Sequence, residues 1–302
     1  MHWHILGAGA IGGLFATRLL DAGIGVTLLL RNQQRLAEFV AAGRQLTLAT
    51  DTGLLQYPLE AQCCEAPEPI DHLLIATKAY ACHTALTALL PRLHADTEIL
   101  LLQNGCGQQQ ALAERLPGHA IWAGVTTSGV RRLGPFQLRP AGAGETRIGP
   151  LTATAQGLPA GWNRLAHPVQ EVADIRQALW QKLAINAAIN PLTALYGCNN
   201  GALLEPEHEP LLNRLCLEIE QIADAADQLL FEQGLIEQVR RVARDTAANR
   251  SSMLEDISAG RRTEIDQITG YLCQQARKYG VTAALNERLL YDIHTLEQKE
   301  FP

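Results

Sequence analysis

No segment of this 302-residue chain is long and apolar enough to cross a bilayer as a helix, which sets aside the membrane-spanning helical classes. The apolar opening from Ile5 to Leu20 is interrupted by glycines, follows no basic segment and runs into Arg18 and Asp21, so it does not read as a secretion signal. Basic runs are missing as well. With a formal net charge of −6 and 19% charged residues, the chain has no footprint for nucleic acid, and a small molecule is the expected partner. Its seven cysteines, Cys63, Cys64, Cys82, Cys106, Cys198, Cys216 and Cys273, are odd in number and lack the C-x-x-C spacing of zinc or redox motifs, which suits free thiols in a reducing cytoplasm. Nine histidines include no H-E-x-x-H or similar spacing. The acidic stretch Glu205-Pro-Glu-His-Glu-Pro reads as a solvated loop or helix start, so no metal site is expected.

What the chain does have is 47% hydrophobic residues, enough for two cores, and a change of pattern part-way along. Residues 3–6 form a short apolar strand that runs into Gly7-Ala8-Gly9-Ala10-Ile11-Gly12, after which Leu14, Leu19 and Leu20 follow a helical pattern. This is G-x-G-x-x-G in the strand-to-helix context it requires. Gly7 allows the tight turn, Gly9 lets the backbone approach a pyrophosphate, and Gly12 permits close packing of helix on strand. The next strand, residues 25–30, ends at Arg31, where an NAD-binding fold usually carries Asp or Glu. A guanidinium suits a 2′-phosphate, so the cofactor reads as NADP(H); an ordinary exposed arginine at a strand end is the alternative. Further strands at 71–77 and 98–103 end in Lys78 and in Asn104-Gly105. In an open parallel sheet, strand C-termini face the ligand crevice, which aims Lys78 at phosphate or nicotinamide ribose and Asn104 at the ring, unless Lys78 is solvated and Asn104-Gly105 is a simple turn. Alternation between Ile121 and Ile148 adds β-structure that closes a domain of residues 1–170, with a seam at Gly161–Val169 containing Pro168.

From about Asp174 the spacing predicts helices over 175–194, 211–233, 235–248, 252–259, 264–279 and 286–298, an all-helical domain of residues 171–302. Lys182, Asn186 and Asn190 lie four apart on one side of the first of these, whose other positions are almost wholly apolar. A buried ammonium or amide is costly unless hydrogen-bonded, so the stripe most economically lines a polar cleft. The competing explanation is a snorkelling lysine with asparagines capping a turn near Pro191. A nucleotide-binding domain followed by a helical one offers a crevice of the kind where substrates commonly bind. Ser251-Ser-Met-Leu-Glu255 has capping-box character with Ser252 at the N-cap and Glu255 three residues on, which leaves Ser252 a cap, a substrate contact or both. Thr263 and Asp266 repeat that spacing, and Glu264 gains from the helix dipole as any first-turn acid would.

Taken in order, Gly7-Ala-Gly-Ala-Ile-Gly12, Lys78, Gln103-Asn-Gly-Cys-Gly107, Lys182-Leu-Ala-Ile-Asn-Ala-Ala-Ile-Asn-Pro-Leu-Thr and Ser251-Ser-Met-Leu through Thr263-Glu-Ile-Asp resemble the ketopantoate reductase (2-dehydropantoate 2-reductase) family over nearly the whole chain. The resemblance implies an α/β fold, with an N-terminal Rossmann dinucleotide-binding domain joined to an all-helical C-terminal domain resembling that of 6-phosphogluconate dehydrogenase. It implies NADPH-dependent reduction of 2-dehydropantoate to (R)-pantoate, on the route to pantothenate and coenzyme A, by a cytoplasmic monomer or homodimer. Lys182 matches the family's catalytic lysine, and Glu264 a glutamate bounding the active site on the cofactor side. Asn104, Asn186, Asn190, Asn200 and Ser252 match substrate-binding positions. Gly7, Ala8, Gly9, Ala10, Ile11, Gly12, Arg31, Lys78, Asn104, Val130 and Glu264 match cofactor positions, although Val130 stands where alanine is expected; a backbone contact there would survive the change. Burial of Lys182 is expected to lower its pKa while Glu264 opposes that shift. Two other functions fit the same pattern: a reductase of another 2-oxo acid, and a non-catalytic NADP(H)-binding sensor, which would not need the Lys182, Asn186, Asn190, Ser252 and Glu264 constellation.

Overall fold

The computed structural model describes residues 1–300. Its contacts separate two compact units: Met1–Gln103 with Gln108–Ile175, and Asn104–Gly107 with the chain from Arg176 onward.

The first unit contains the strands β1 (His2–Leu6), β2 (Gly25–Leu30), β3 (Gln45–Thr50), β4 (Gly53–Pro58), β5 (Glu60–Cys63), β6 (Ile70–Ile75), β7 (Leu93–Leu101), β8 (Ala120–Thr126), β9 (Val130–Gly134), β10 (Gln137–Pro140), β11 (Thr146–Pro150) and β12 (Val169–Glu171). Its helices are α1 (Ala10–Asp21), α2 (Gln33–Ala41), α3 (Cys82–Thr87) and α4 (Gln108–Arg115). An eight-stranded sheet runs in the order β12-β11-β8-β7-β6-β1-β2-β5. Pairing is parallel from β5 through to β8, while β11 is antiparallel to β8. The order reverses at β1, with β2 on one side and β6 on the other, so the glycine turn leaving β1 lies at the topological switch point where α/β sheets bind ligands. This is the Rossmann-type architecture expected, and the sheet continues beyond residue 170 because β12 pairs with β11.

Strands buried on both faces need apolar residues at every position, and here those residues sort into two clusters. Trp3, Ile5, Val26, Leu28, Leu30, Leu74, Leu100 and Trp122 share one cluster with Phe15, Ala16 and Leu19 of α1. Leu6, Leu29, Leu73, Ile75, Ile99, Leu101 and Ile121 form the other with Cys82 and Leu86 of α3 and Leu112 of α4. Alternate residues of each strand thus feed opposite faces of the sheet. A second, four-stranded sheet, β4-β3-β10-β9, includes β3 and β4 at 45–58, and β5 at 60–63 edges the first sheet; the sequence pattern did not indicate any of these three.

The second unit is helical: α5 (Ile175–Tyr196), α6 (Glu209–Ala225), α7 (Leu235–Asp245), α8 (Ser252–Ser258), α9 (Ile265–Tyr279) and α10 (Ala284–Glu300). Leu183, Ala184, Ala187, Ala188, Ile189 and Leu192 of α5 are buried, and the helix continues through Pro191. The helix expected over 211–233 stops at Ala225. Asp227 takes a left-handed conformation and Gln228 N–H closes on the Ala223 carbonyl, ending the helix without the glycine that usually marks such a stop. The N-cap of α8 is Ser251 rather than Ser252: the Ser251 hydroxyl accepts from Leu254 N–H at 3.1 Å, and Thr193 donates to it at 2.7 Å. Glu255 pairs with Arg250 instead of completing a capping box. Nor does Thr263 cap α9, whose N-cap is Glu264; its hydroxyl accepts instead from Ile265 N–H.

Two helix starts in this unit are satisfied from α6. Glu218 accepts from Leu285 N–H, Asn286 N–H and Asn286 Nδ2, and Glu220 accepts from Leu235 N–H. Asn286 is fully buried, so Glu218→Ala leaves its N–H and amide without their carboxylate partner. A loss of about 2 kcal/mol or more in unfolding free energy is expected, measured by urea denaturation.

Candidate active site

The glycine turn after β1 has three glycines with different physical reasons. Gly7 has φ +108°, and a Cβ there would lie 2.6 Å from Thr77 N. At Gly12 a Cβ would lie 1.9 Å from the Gly7 carbonyl oxygen and 3.3 Å from Ala76 Cβ. Both are demanded by the protein itself. Gly9 is not: a Cβ there meets nothing within 4 Å. Gly9 is also the N-cap of α1, and no side chain caps the first-turn N–H groups. That combination can cradle an anionic pyrophosphate, with Ala8, Ala10 and Ile11 supplying backbone.

The other cofactor-type residues of the first unit follow strand ends. Arg31 is exposed just beyond β2, and Lys78 is part-buried beyond β6. Val130 opens β9 and pairs with Pro140 of β10. Between the ends of β6 and β7, Gln103 donates through Nε2 to the Thr77 carbonyl and hydroxyl, tying the two strand ends together.

Asn104–Gly107 leaves β7 and joins the helical unit. Gly105 has φ +75°, and a Cβ on it would lie 2.5 Å from the Gln267 carbonyl oxygen; the next residue, Cys106, donates its N–H to that same oxygen at 2.9 Å. The loop is therefore stitched to α9. Asn104 Nδ2 donates to Glu264 Oε2 at 3.4 Å.

Glu264, 4% exposed, and the ammonium of Lys182 act on one another. Burial pushes the Lys182 pKa down to about 8, against the opposing pull of Glu264 and of the Cys106 sulfur. Lys182, Glu264 and Asn104 are thus brought together from α5, the start of α9 and the loop. Asn186 and Asn190 continue up α5 from Lys182, the first part-buried and the second buried. Asn200 is buried, donates from Nδ2 to Thr246 at 2.9 Å and receives no hydrogen bond at Oδ1. Ser252 is the exposed first residue of α8.

A family model described as ketopantoate reductase PanE/ApbA matches residues 3–153, and its C-terminal counterpart matches residues 174–297. The chain belongs to the ketopantoate reductase family. A 2-dehydropantoate 2-reductase of Vibrio cholerae is 36% identical over 299 residues, covering 97% of each chain. Among solved structures, a PanE/ApbA family ketopantoate reductase of Ralstonia eutropha JMP134 superposes with a TM-score of 0.89 at 28% identity, covering 99% of both chains. D-mandelate dehydrogenase with NADH and anilino(oxo)acetate superposes with a TM-score of 0.92 at 23% identity, again over 99% of both; at that identity the likeness carries the fold alone.

This ketopantoate reductase homologue also holds residues at the site that sequence pattern did not single out. Cys106, buried beside Lys182, brings its sulfur to 3.9 Å from the Leu179 carbonyl, and burial pushes its pKa up to about 12. Tyr271 of α9 stacks edgewise on Trp180 and lies against Gly107. Neither carries a local signal, because each is brought in by packing across α5, α9 and the loop. All seven cysteines are free, and among the described residues no group of His, Cys, Asp and Glu could hold a metal ion. No helix of the described residues is long and apolar enough to cross a membrane.

The three glycines separate by experiment. Gly12→Ala is expected to cost about 3 kcal/mol or more of stability through overpacking, whereas Gly9→Ala should stay within about 0.5 kcal/mol of the parent, both read by thermal unfolding without ligand.

Proposed function

We propose that the protein catalyses NADPH-dependent reduction of 2-dehydropantoate to (R)-pantoate, with Lys182 as general acid, in the cytoplasmic route to pantothenate and coenzyme A. The observation that carries this reading is a desolvated lysine, its pKa near 8, facing a buried glutamate that also accepts from Asn104. NADPH, held by residues 7–12, Arg31 and Lys78, supplies hydride when bound. As hydride reaches the C2 carbonyl of the substrate, negative charge grows on its oxygen. Lys182 stabilises that charge and then delivers a proton to it. Glu264 keeps enough positive charge on Lys182 for the task, since burial alone would drive the amine further toward neutrality. Asn104, Asn186 and Asn190 orient the carbonyl and hydroxyl groups, Asn200 offers its unpartnered Oδ1 to a substrate hydroxyl, and Ser252 takes the carboxylate end. Arg31 would hold the 2′-phosphate of the cofactor, and backbone at Val130 would help to hold the cofactor.

Fold and cofactor motifs do not fix the substrate, which leaves a second reading open. The same constellation would then serve another 2-oxo acid. A steady-state panel of 2-dehydropantoate, 2-oxoisovalerate, pyruvate and an aromatic 2-oxo acid, run with NADPH and then NADH, separates the two. A higher kcat/KM for another acid overturns the substrate assignment, and a preference for NADH overturns the role of Arg31.

Lys182→Ala is expected to lower kcat by a factor on the order of 100 or more, with NADPH affinity by fluorescence titration retained. A general acid must hold its proton, so kcat/KM should be level below the Lys182 pKa and fall as pH rises through about 8. Glu264→Gln removes an influence that raises that pKa and should move the alkaline limb to lower pH.

A further inference from the structure

We propose that Glu297, in the last turns of α10, is a positioning residue for Glu264, fixing its carboxylate against Lys182 and Asn104 through the backbone of Thr263. This inference rests on the functional reading above. It begins with a backbone group that has no helix or strand to satisfy it. Residues 259–263 link α8 to α9 as an irregular connection in which Gly260 has φ +63°. Thr263 is fully buried, so its N–H needs a partner within the protein. That partner is Glu297 Oε1, which accepts at 2.7 Å.

The next residue is Glu264. Its surroundings leave its backbone little freedom: Thr263 is held by Glu297 on one side, and Ile265 N–H donates to the Thr263 hydroxyl at 3.2 Å on the other. The Glu264 carbonyl already accepts from Gln267 and Ile268 as the first turn of α9. A second tie from α10 grips the same turn, where His294 Nε2 lies 2.9 Å from Asp266 Oδ1. His294 and Glu297 are three residues apart, so both project from one face of α10 onto the start of α9. At its other end α10 is anchored by Glu218. The influence of Glu297 runs through the Thr263 peptide, where loss of the acceptor would leave a buried N–H to seek water and swing Glu264 with it.

The test reads Lys182 directly and so does not depend on which acid is the substrate. The chain has four lysines, Lys78, Lys182, Lys278 and Lys299, and ε-carbon-13 labelling gives four signals, with that of Lys182 identified by its loss in Lys182→Ala. In the parent its titration midpoint is expected at about 8. Glu264→Gln should lower the midpoint, and Glu297→Ala should lower it in the same direction, because the carboxylate is no longer held beside the amine. Glu297→Gln loses the charge but keeps a carbonyl acceptor for Thr263 N–H, and should leave the midpoint at the parent value. In turnover, Glu297→Ala should lower kcat on the order of tenfold, with NADPH affinity unchanged and most of the loss recovered in Glu297→Gln. If Glu297→Ala does not fold, Glu297→Asp, one methylene too short to reach, takes its place. An unchanged midpoint in the shortened variant while Glu264→Gln moves it overturns the proposal. So does an equal drop in Glu297→Gln, which would make the effect one of charge alone. A midpoint that Glu264→Gln fails to move overturns the pairing of Lys182 with Glu264, and with it the functional reading itself.

Discussion

Desolvation of one ammonium against the attraction of one carboxylate governs the helical unit. The Lys182 side chain leaves a helix whose flanking residues are buried alanines, leucines and isoleucines, so water is largely withheld and the neutral amine gains. Glu264 pulls the other way, and burial wins, leaving a group that titrates near the middle of the biological range rather than an inert cation. Neither contribution would be useful alone. A fully desolvated lysine without a counter-charge would hold no proton to give, and an exposed one would give it up reluctantly. Under the proposed function, that requirement accounts for residues 182–192 of α5 being apolar except for Lys182, Asn186 and Asn190.

Much of this was legible in sequence, for physical reasons that can be named. Strands buried on both faces read as continuous apolar runs, so β1, β2, β6 and β7 stand out as Leu/Ile-rich segments. Gly7, Gly9 and Gly12 follow a strand and precede a helix, and the four-residue spacing of Lys182, Asn186 and Asn190 is a helix-face pattern. What escaped depends on contacts distant in the chain or on exposed elements. β4 is exposed along nearly its whole length and so has no buried face to impose alternation. Asp227 ends α6 in a conformation that glycine usually announces. The capping pattern pointed to Ser252, but Ser251 takes the cap, and a bond from Thr193, 58 positions away in the chain, goes with it. Cys106 reaches α9 through Gln267, and Thr263 reaches α10 through Glu297; no local pattern encodes either.

Carboxylates do a recurring structural job in this unit. Glu218, Glu220 and Glu297 each accept from backbone N–H groups belonging to a different element from their own. Helix starts and irregular turns expose such donors, and a carboxylate with several acceptor sites can satisfy more than one at once. Acidic residues that pattern reading treats as solvated surface are therefore part of how the helices are aligned.

The three glycines of the turn after β1 bear differently on ancestry. Gly7 and Gly12 are enforced by the fold, and a protein that had abandoned its ligand would still have to keep them in order to fold. Gly9 answers to nothing inside the chain. Among distant relatives, a side chain at the position of Gly9 with the other two glycines intact would mark a lineage in which selection on nucleotide binding had lapsed while the architecture survived. Under the proposed function the middle glycine is thus a record of use, while its two neighbours are a record of folding.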